Sequence, residues 1–169
     1  MTTYNTDTRQ AHGKEWTIEW VYDQDHEAPW LECDGHGPVS DWECRDKRPG
    51  ELILNEDRGS KRFYDFAEAV KIARRDGWNT APYNWDTKGA QAAAAAYADF
   101  EYLRAWCNDE WHYCGIVVTL NDGGDDISAS LWGIESNGTE YHEEVIEELM
   151  RQCLHDLQRQ TFPGCSVGI

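Results

Sequence analysis

Five glutamates around residue 145 recur at the spacing of one helix face. If this segment is helical, positions i, i+3, i+4, i+7 and i+8 project together as an acidic stripe, formed by Glu140, Glu143, Glu144, Glu147 and Glu148. At a rise of about 1.5 Å per residue the stripe is roughly 12 Å long, comparable to several phosphate steps of a nucleic-acid strand. The stripe can therefore imitate a short piece of phosphate backbone, or it can be a solvated helix face. A glycine-rich turn extends the acidity through Asp122, Asp125 and Asp126.

A second group of side chains supplies the nitrogen and sulfur ligands that zinc prefers. Its members are His26, Cys33, His36 and Cys44. The last three follow the spacing Cys-x2-His-x7-Cys, which lacks a second close pair and is therefore no recognised zinc finger. Another candidate set consists of Cys107, His112 and Cys114. Buried free thiols are the alternative in both sets, and the aperiodic 23–49 segment is the first place to look for a site.

Known catalytic motifs are absent from the sequence. There is no Gly-x-Ser-x-Gly elbow, no Gly-x-x-x-x-Gly-Lys loop, no dinucleotide fingerprint and no His-Glu-x-x-His. A non-enzymatic role is therefore expected, although an enzyme is not excluded. A cationic middle segment can bind an anion, but we expect its side chains to pair with the protein's own carboxylates. These cations are Arg45, Lys47, Arg48, Arg58, Lys61, Arg62, Arg74 and Arg75.

The overall charge constrains the class of partner. The chain carries 32 acidic and 15 basic residues, a net charge of −17. This charge opposes binding to a phosphate backbone, so a basic protein is the expected partner and direct nucleic-acid binding is not expected. The N-terminal segment Met1–Arg9 is polar, and no stretch approaches the ~18 apolar residues that suggest a membrane span. We therefore expect a cytoplasmic protein without membrane contact; the sequence leaves the oligomeric state open.

The hydrophobic periodicities predict one α+β domain over residues 1–169, with residues 1–14 frayed. The predicted order is β-β-α-α-β-β-α, a mainly antiparallel sheet of about four strands with about three helices. The predicted strands are 16–22, 51–55, 111–120 and 127–135. The predicted helices are 66–76, with Asp65 as N-cap and Gly77 after its end, 87–108 and 140–160.

Three stretches, Asp34–Trp42, Asp57–Phe66 and Asp99–Cys107, resemble a family of small, uncharacterised acidic proteins encoded by bacteriophages and prophages. The resemblance covers most of the chain and brings no catalytic residues with it. It implies a class of role, because small acidic phage proteins include inhibitors of restriction and CRISPR systems, some of which mimic nucleic acid. It also implies that the protein works in the cytoplasm of a bacterial host.

Charge, the striped helix and the missing motifs together favour a non-enzymatic inhibitor. Its acidic face would occupy the basic groove of a host nucleic-acid-binding or defence protein, such as a nuclease or a CRISPR effector, and no cofactor is expected. The alternative is a small metal-dependent enzyme, with zinc as the candidate metal and its site in the 23–49 loop. A third interpretation is an interaction protein whose acidity serves only solubility.

Overall fold

The structure is a computed structural model and describes residues 1–78, 87–122, 127–162 and 164. The chain forms two compact units, Met1–His26 together with His112–Ile169, and Glu27–Trp111. We name them by their order along the sequence: the first is the outer unit, and the second, which interrupts it in sequence, is the inserted unit. The single domain expected from the sequence stays a prediction. Among the described helices, none has the length and hydropathy needed to cross a membrane.

Seven strands and four helices occupy the described ranges, and the fold is α+β with antiparallel sheets, as predicted. In chain order they are β1 (Thr3–Ala11), β2 (Lys14–Tyr22), α1 (Pro29–Glu32), β3 (Val39–Glu43), β4 (Glu51–Asp57), β5 (Ser60–Asp65), α2 (Phe66–Asp76), α3 (Lys88–Cys107), β6 (Tyr113–Leu120), β7 (Ile127–Glu135) and α4 (Thr139–Thr161).

The outer unit is a four-stranded antiparallel sheet in the order β1-β2-β6-β7, with α4 on one face. Alternate residues of β2 and β6 point to the same face, so the pairs Ile18↔Val118 and Trp20↔Ile116 both bury apolar side chains. The side chains of α4 that cover this face are Val145, Ile146, Leu149, Met150 and Cys153. Burial of each such side chain contributes on the order of 1.5–3 kcal/mol, which fixes the rotation of α4 about its axis.

A buried histidine fixes the start of α4. The indole N–H of Trp20 lies 3.3 Å from Nδ1 of His142, and Nε2 of His142 lies 2.7 Å from the carbonyl oxygen of Glu135. Because an indole N–H can only donate, Nδ1 accepts and Nε2 carries the proton that it donates to the carbonyl. Both ring nitrogens of His142 thus have a hydrogen-bond partner, and these two bonds tie α4 to β2 and β7.

The inserted unit is a three-stranded antiparallel sheet in the order β3-β5-β4, accompanied by α2 and α3. Helix α2 has the predicted ends: the Asp65 carboxylate accepts a hydrogen bond from the backbone N–H of Glu68 at 3.0 Å, and Gly77 follows with φ of 69°. Helix α3 buries its alanine-rich side together with Phe100 and Leu103.

Several sequence-based expectations about the elements are wrong. Residues 1–14 are not frayed, because β1 pairs along β2 through a two-residue turn in which His12 and Gly13 have φ of 54° and 69°. Positive φ at both positions is the type I′ geometry that matches the twist of a hairpin. Strands β3 and β5 and the single turn α1 were also missed, so the described chain has two sheets rather than one sheet of about four strands.

Candidate functional site

The five glutamates of the predicted stripe all lie on the exposed side of α4, and we call them the α4 acidic face. The apolar residues of α4 turn toward the sheet, so the remaining positions must face solvent. Glu140 is in the first helical turn, where the positive end of the helix dipole favours a carboxylate. Local sequence therefore explains both the helix and the exposure of its acidic side.

The chain neutralises part of this face with its own cations, which the sequence pattern did not predict. Arg9 of β1 donates two hydrogen bonds to Glu143, at 2.6 and 2.9 Å, and these bonds lower the pKa of the Glu143 carboxyl. His12 lies 3.1 Å from Glu147, and Arg151 lies 2.8 Å from Glu148. Three of the five carboxylates thus have a basic neighbour.

The other two members, Glu140 and Glu144, form no ion pair or hydrogen bond within the residues that the structure describes. The paired glutamates also stay accessible, since the side chains of Glu143, Glu147 and Glu148 are 48–72% exposed. By contrast, Glu51, which Arg45 clamps in the inserted unit, is 13% exposed. A partner can therefore reach the whole α4 acidic face, and two of its carboxylates are uncompensated.

The predicted extension of the acidic surface into the β6–β7 turn stays a prediction, and Asp122, its one described member, is exposed. Its carboxylate accepts the backbone N–H of Glu15 at 2.9 Å and thereby joins the ends of β2 and β6. Asp125 and Asp126 lie outside the described residues. Asp122 thus links two strand ends while it remains at the surface.

The cations of the middle segment mostly pair with neighbouring carboxylates, as expected. Arg45 binds Glu51 through two hydrogen bonds of 2.8 and 2.9 Å, and its guanidinium lies between the rings of Trp42 and Phe63. Further pairs join Arg58 to Asp57, Lys61 to Asp46 and Glu56, Arg62 to Asp41, and Arg75 to Asp76. No such ion pair is formed by Lys47, Arg48 or Arg74 with other described residues.

The predicted zinc ligands do not form a cluster in the described part of the chain, where no group of three or more His, Cys, Asp or Glu side chains could hold a metal ion. In the outer unit, His26 stacks on Tyr113 at 3.7 Å. In the inserted unit, Cys33 and Cys44 are exposed at the ends of α1 and β3, and His36 binds a carboxylate.

The second candidate set is divided between the two units, with Cys107 in the inserted unit and His112 and Cys114 in the outer unit. Cys107 is half-buried with its sulfur 3.6 Å from the guanidinium of Arg62, and burial raises the pKa of its thiol. Cys114 is fully buried in the outer sheet, and burial likewise raises the pKa of its thiol. His112 packs against Tyr4 and Tyr22.

A cluster that the sequence did not reveal lies around Asp99 of α3. The Asp99 carboxylate is 2.6 Å from Nδ1 of His36 and accepts the backbone N–H of Gly37 at 2.8 Å and the hydroxyl of Tyr64 at 2.7 Å. Burial raises the pKa of Tyr64, and its hydrogen bond to Asp99 raises it further, so this hydroxyl is a permanent donor. A Cβ at Gly37 would lie 2.5 Å from the Tyr64 hydroxyl, so the close approach requires glycine.

The Asp99 carboxylate holds one ring nitrogen of His36. A carboxylate orients a histidine in the same way when that histidine acts as a general base. No serine, threonine or cysteine of the described chain forms a hydrogen bond with the ring, however, and Tyr102 stacks on it in parallel at 5.8 Å. The described contacts fit a clamp that holds residues 36 and 37 against α3. His36 and Gly37 are 63 and 62 residues away from Asp99 in sequence, so no local spacing predicts their contact with it.

Comparisons of the chain with protein-family models, with curated proteins and with solved structures found no match.

Proposed function

We propose that this protein is a non-enzymatic, phage-type inhibitor that places the α4 acidic face in the basic, nucleic-acid-binding groove of a host protein. The host protein would be a restriction or CRISPR nuclease, or another nucleic-acid-binding protein of the bacterial cytoplasm. The observation that carries the proposal is the accessibility of five carboxylates on one helix, two of them without any compensating cation among the described residues.

The distribution of charge between the two units supports the same face. The outer unit contains 15 acidic and 4 basic residues, a net charge of −11, whereas the inserted unit has 17 acidic and 11 basic residues, a net charge of −6. In the inserted unit most of the cationic middle segment is engaged in local pairs. Most of the net field that would steer a basic partner therefore originates in the unit that carries α4.

The metal-dependent enzyme in the 23–49 loop receives less support. Its four predicted ligands are not gathered into a metal-binding group within the described ranges. His36 instead uses Nδ1 for Asp99, an interaction that explains its position in the loop without a metal ion.

The test compares two charge-reversal variants in DNA-cleavage assays. Glu140→Lys/Glu144→Lys reverses the two uncompensated carboxylates of α4 without breaking a described ion pair. Asp34→Lys/Glu43→Lys is the matched control, because both residues are exposed in the inserted unit and the change in net charge is the same. Cleavage of plasmid DNA by a panel of restriction and CRISPR nucleases is measured at two salt concentrations and with excess competitor DNA.

We expect the wild-type protein to inhibit at least one nuclease, less strongly in higher salt and in the presence of competitor DNA. The α4 variant should inhibit at least about tenfold less well, which corresponds to about 1.4 kcal/mol, and the control variant should inhibit as the wild type does. An α4 variant that is folded and still inhibits fully would show that this face is only solvated. Equal loss in both variants would mean that net charge alone acts, and a protein that inhibits no nuclease would contradict the restriction and CRISPR nucleases as its targets.

A further inference from the structure

A groove of about 320 Å³ runs between β7 and α4 in the outer unit. We call it the β7–α4 groove. Its lining includes two apolar side chains, Leu131 of β7 and Tyr141 of α4, and two carboxylates, Glu144 and Glu148 of α4. Leu131 and Tyr141 are 42% and 52% exposed, so apolar surface lies open along this groove. The two carboxylates form its acidic wall.

Strand β7 is an open edge of the sheet. It pairs with β6 on one side, and in residues 1–78, 87–122, 127–162 and 164 no strand pairs with its other side. Sheet edges are usually protected by charged side chains, but the segment from Ile127 to Ile134 contains none. The opposite edge, β1, carries Asp7 and Arg9.

The open edge has a defined length. The register between β6 and β7 shifts after Leu131, and Gly133 follows with φ of 73°, which is the geometry of a β-bulge. Within the bulge, the backbone N–H of Gly133 donates to the Asp23 carboxylate at 3.0 Å. The segment available to another strand is therefore Ile127–Leu131, and its last two residues, Ser130 and Leu131, line the groove.

We propose that the β7–α4 groove binds an extended segment of the partner protein, which adds a strand to β7. This inference rests on the proposed function and specifies the chemistry of the partner. Main-chain hydrogen bonds would form along Ile127–Leu131, and alternate side chains of the added strand would point toward α4. Apolar side chains contact Leu131 and Tyr141, and lysine or arginine side chains reach Glu144 and Glu148.

Charge selects a basic partner rather than a second copy of this chain. Two copies joined through β7 would bring two acidic walls together, and the outer unit has a net charge of −11. Like charges brought together in an interface oppose association. A basic strand instead removes the repulsion between Glu144 and Glu148, which lie one turn apart on the same side of α4.

The test uses the full chain and synthetic peptides of about ten residues, the length of a long strand. The probe repeats Thr-Val-Thr-Lys, so that valine and lysine alternate along one face of the strand. One control peptide has the same composition with its lysines in one block, and a second has glutamate in place of lysine. Binding is measured by fluorescence anisotropy and by hydrogen exchange of backbone amides. The protein variants are Glu144→Gln/Glu148→Gln in the groove and Glu140→Gln/Glu147→Gln outside it, which remove equal charge from the same helix.

We expect the alternating basic peptide to bind best, to slow exchange in Ile127–Leu131 and to leave β1 unchanged. The groove variant should weaken this binding at least about tenfold more than the other variant. The proposal is overturned if the block peptide or the acidic peptide binds equally well, if both variants behave alike, if protection appears elsewhere, or if the chain pairs with itself through β7. Nuclease inhibition that remains sensitive to Glu140→Lys/Glu144→Lys while the peptide fails to bind would overturn only this docking mode and leave the proposed function standing.

Discussion

Replacing Asp99 by alanine should separate a structural clamp from a reactive site in the 34–38 loop. The Asp99 side chain is 10% exposed and accepts from His36, Gly37 and Tyr64. A buried hydrogen-bond donor that loses its acceptor lowers the free energy of unfolding by about 1–3 kcal/mol. Tyr64 retains a second acceptor, the carbonyl oxygen of Ala96 at 3.2 Å, which leaves two donors without an acceptor. We therefore expect Asp99→Ala to lower the free energy of unfolding by roughly 2–4 kcal/mol.

The assay is urea unfolding followed by tryptophan fluorescence, with two comparison variants. Tyr64→Phe removes a single hydroxyl and should cost about 1 kcal/mol. Asp34→Ala removes an exposed carboxylate from the same loop that has no partner among the described residues, and it should change stability by less than about 0.5 kcal/mol. If Asp99→Ala is as stable as Asp34→Ala, the clamp is refuted, and His36 with Asp99 becomes the first pair to test for chemistry.

Two further predictions concern the inserted unit. Asp65→Ala removes the N-cap of α2 and should cost about 1 kcal/mol in urea unfolding, whereas Asp65→Asn, which can still accept from the Glu68 N–H, should cost less; equal losses would mean that the cap hydrogen bond is not the cause. The hydrogen bonds from Arg45 lower the pKa of Glu51 from 4.5 to about 2. A lowered folded-state pKa stabilises the protein above the ordinary value and loses that contribution as the carboxylate is protonated. The stability difference between the wild type and Glu51→Gln should therefore be full at pH 7 and shrink as pH falls from about 4.5 to 2; a difference independent of pH would contradict this assignment.

The elements that the sequence predicted correctly are those with strong local signals. Helix α2 combines a capping aspartate, an apolar stripe and a C-terminal glycine, and all three agree with its observed ends. Strand β1 carries no comparable signal, because its side chains are polar and mostly exposed on both faces. Its order comes from pairing with β2, an interaction that depends on the His12–Gly13 turn. A hairpin search at this dipeptide, and at Arg58–Gly59 between β4 and β5, would have found β1 and β5, two of the three missed strands.

The exposure of the α4 glutamates was predictable for the same local reason, but their pairing was not. Periodicity assigns a residue to a helix face, whereas the cations that approach that face depend on the tertiary fold. Arg9 and Glu143 are 134 residues apart, and His12 and Glu147 are 135 residues apart. The Asp99 cluster escaped prediction similarly, because His36, Tyr64 and Asp99 come from a loop, a strand and a helix.

The internal contacts make the two flanks of the α4 acidic face different from one another. Glu143 and Glu147 turn toward β1, where they contact Arg9 and His12, so a basic partner on that flank would have to displace contacts already in place. Glu144 and Glu148 turn toward β7, and among the described residues only Glu148 has a basic neighbour, the exposed Arg151 of the same helix. An exposed pair of this kind is worth about 0–1 kcal/mol, so a partner can displace it at little cost. The flank where negative charge is least compensated is therefore also the flank with the apolar groove and the open strand, which is why we place the partner beside β7 rather than across the middle of the helix.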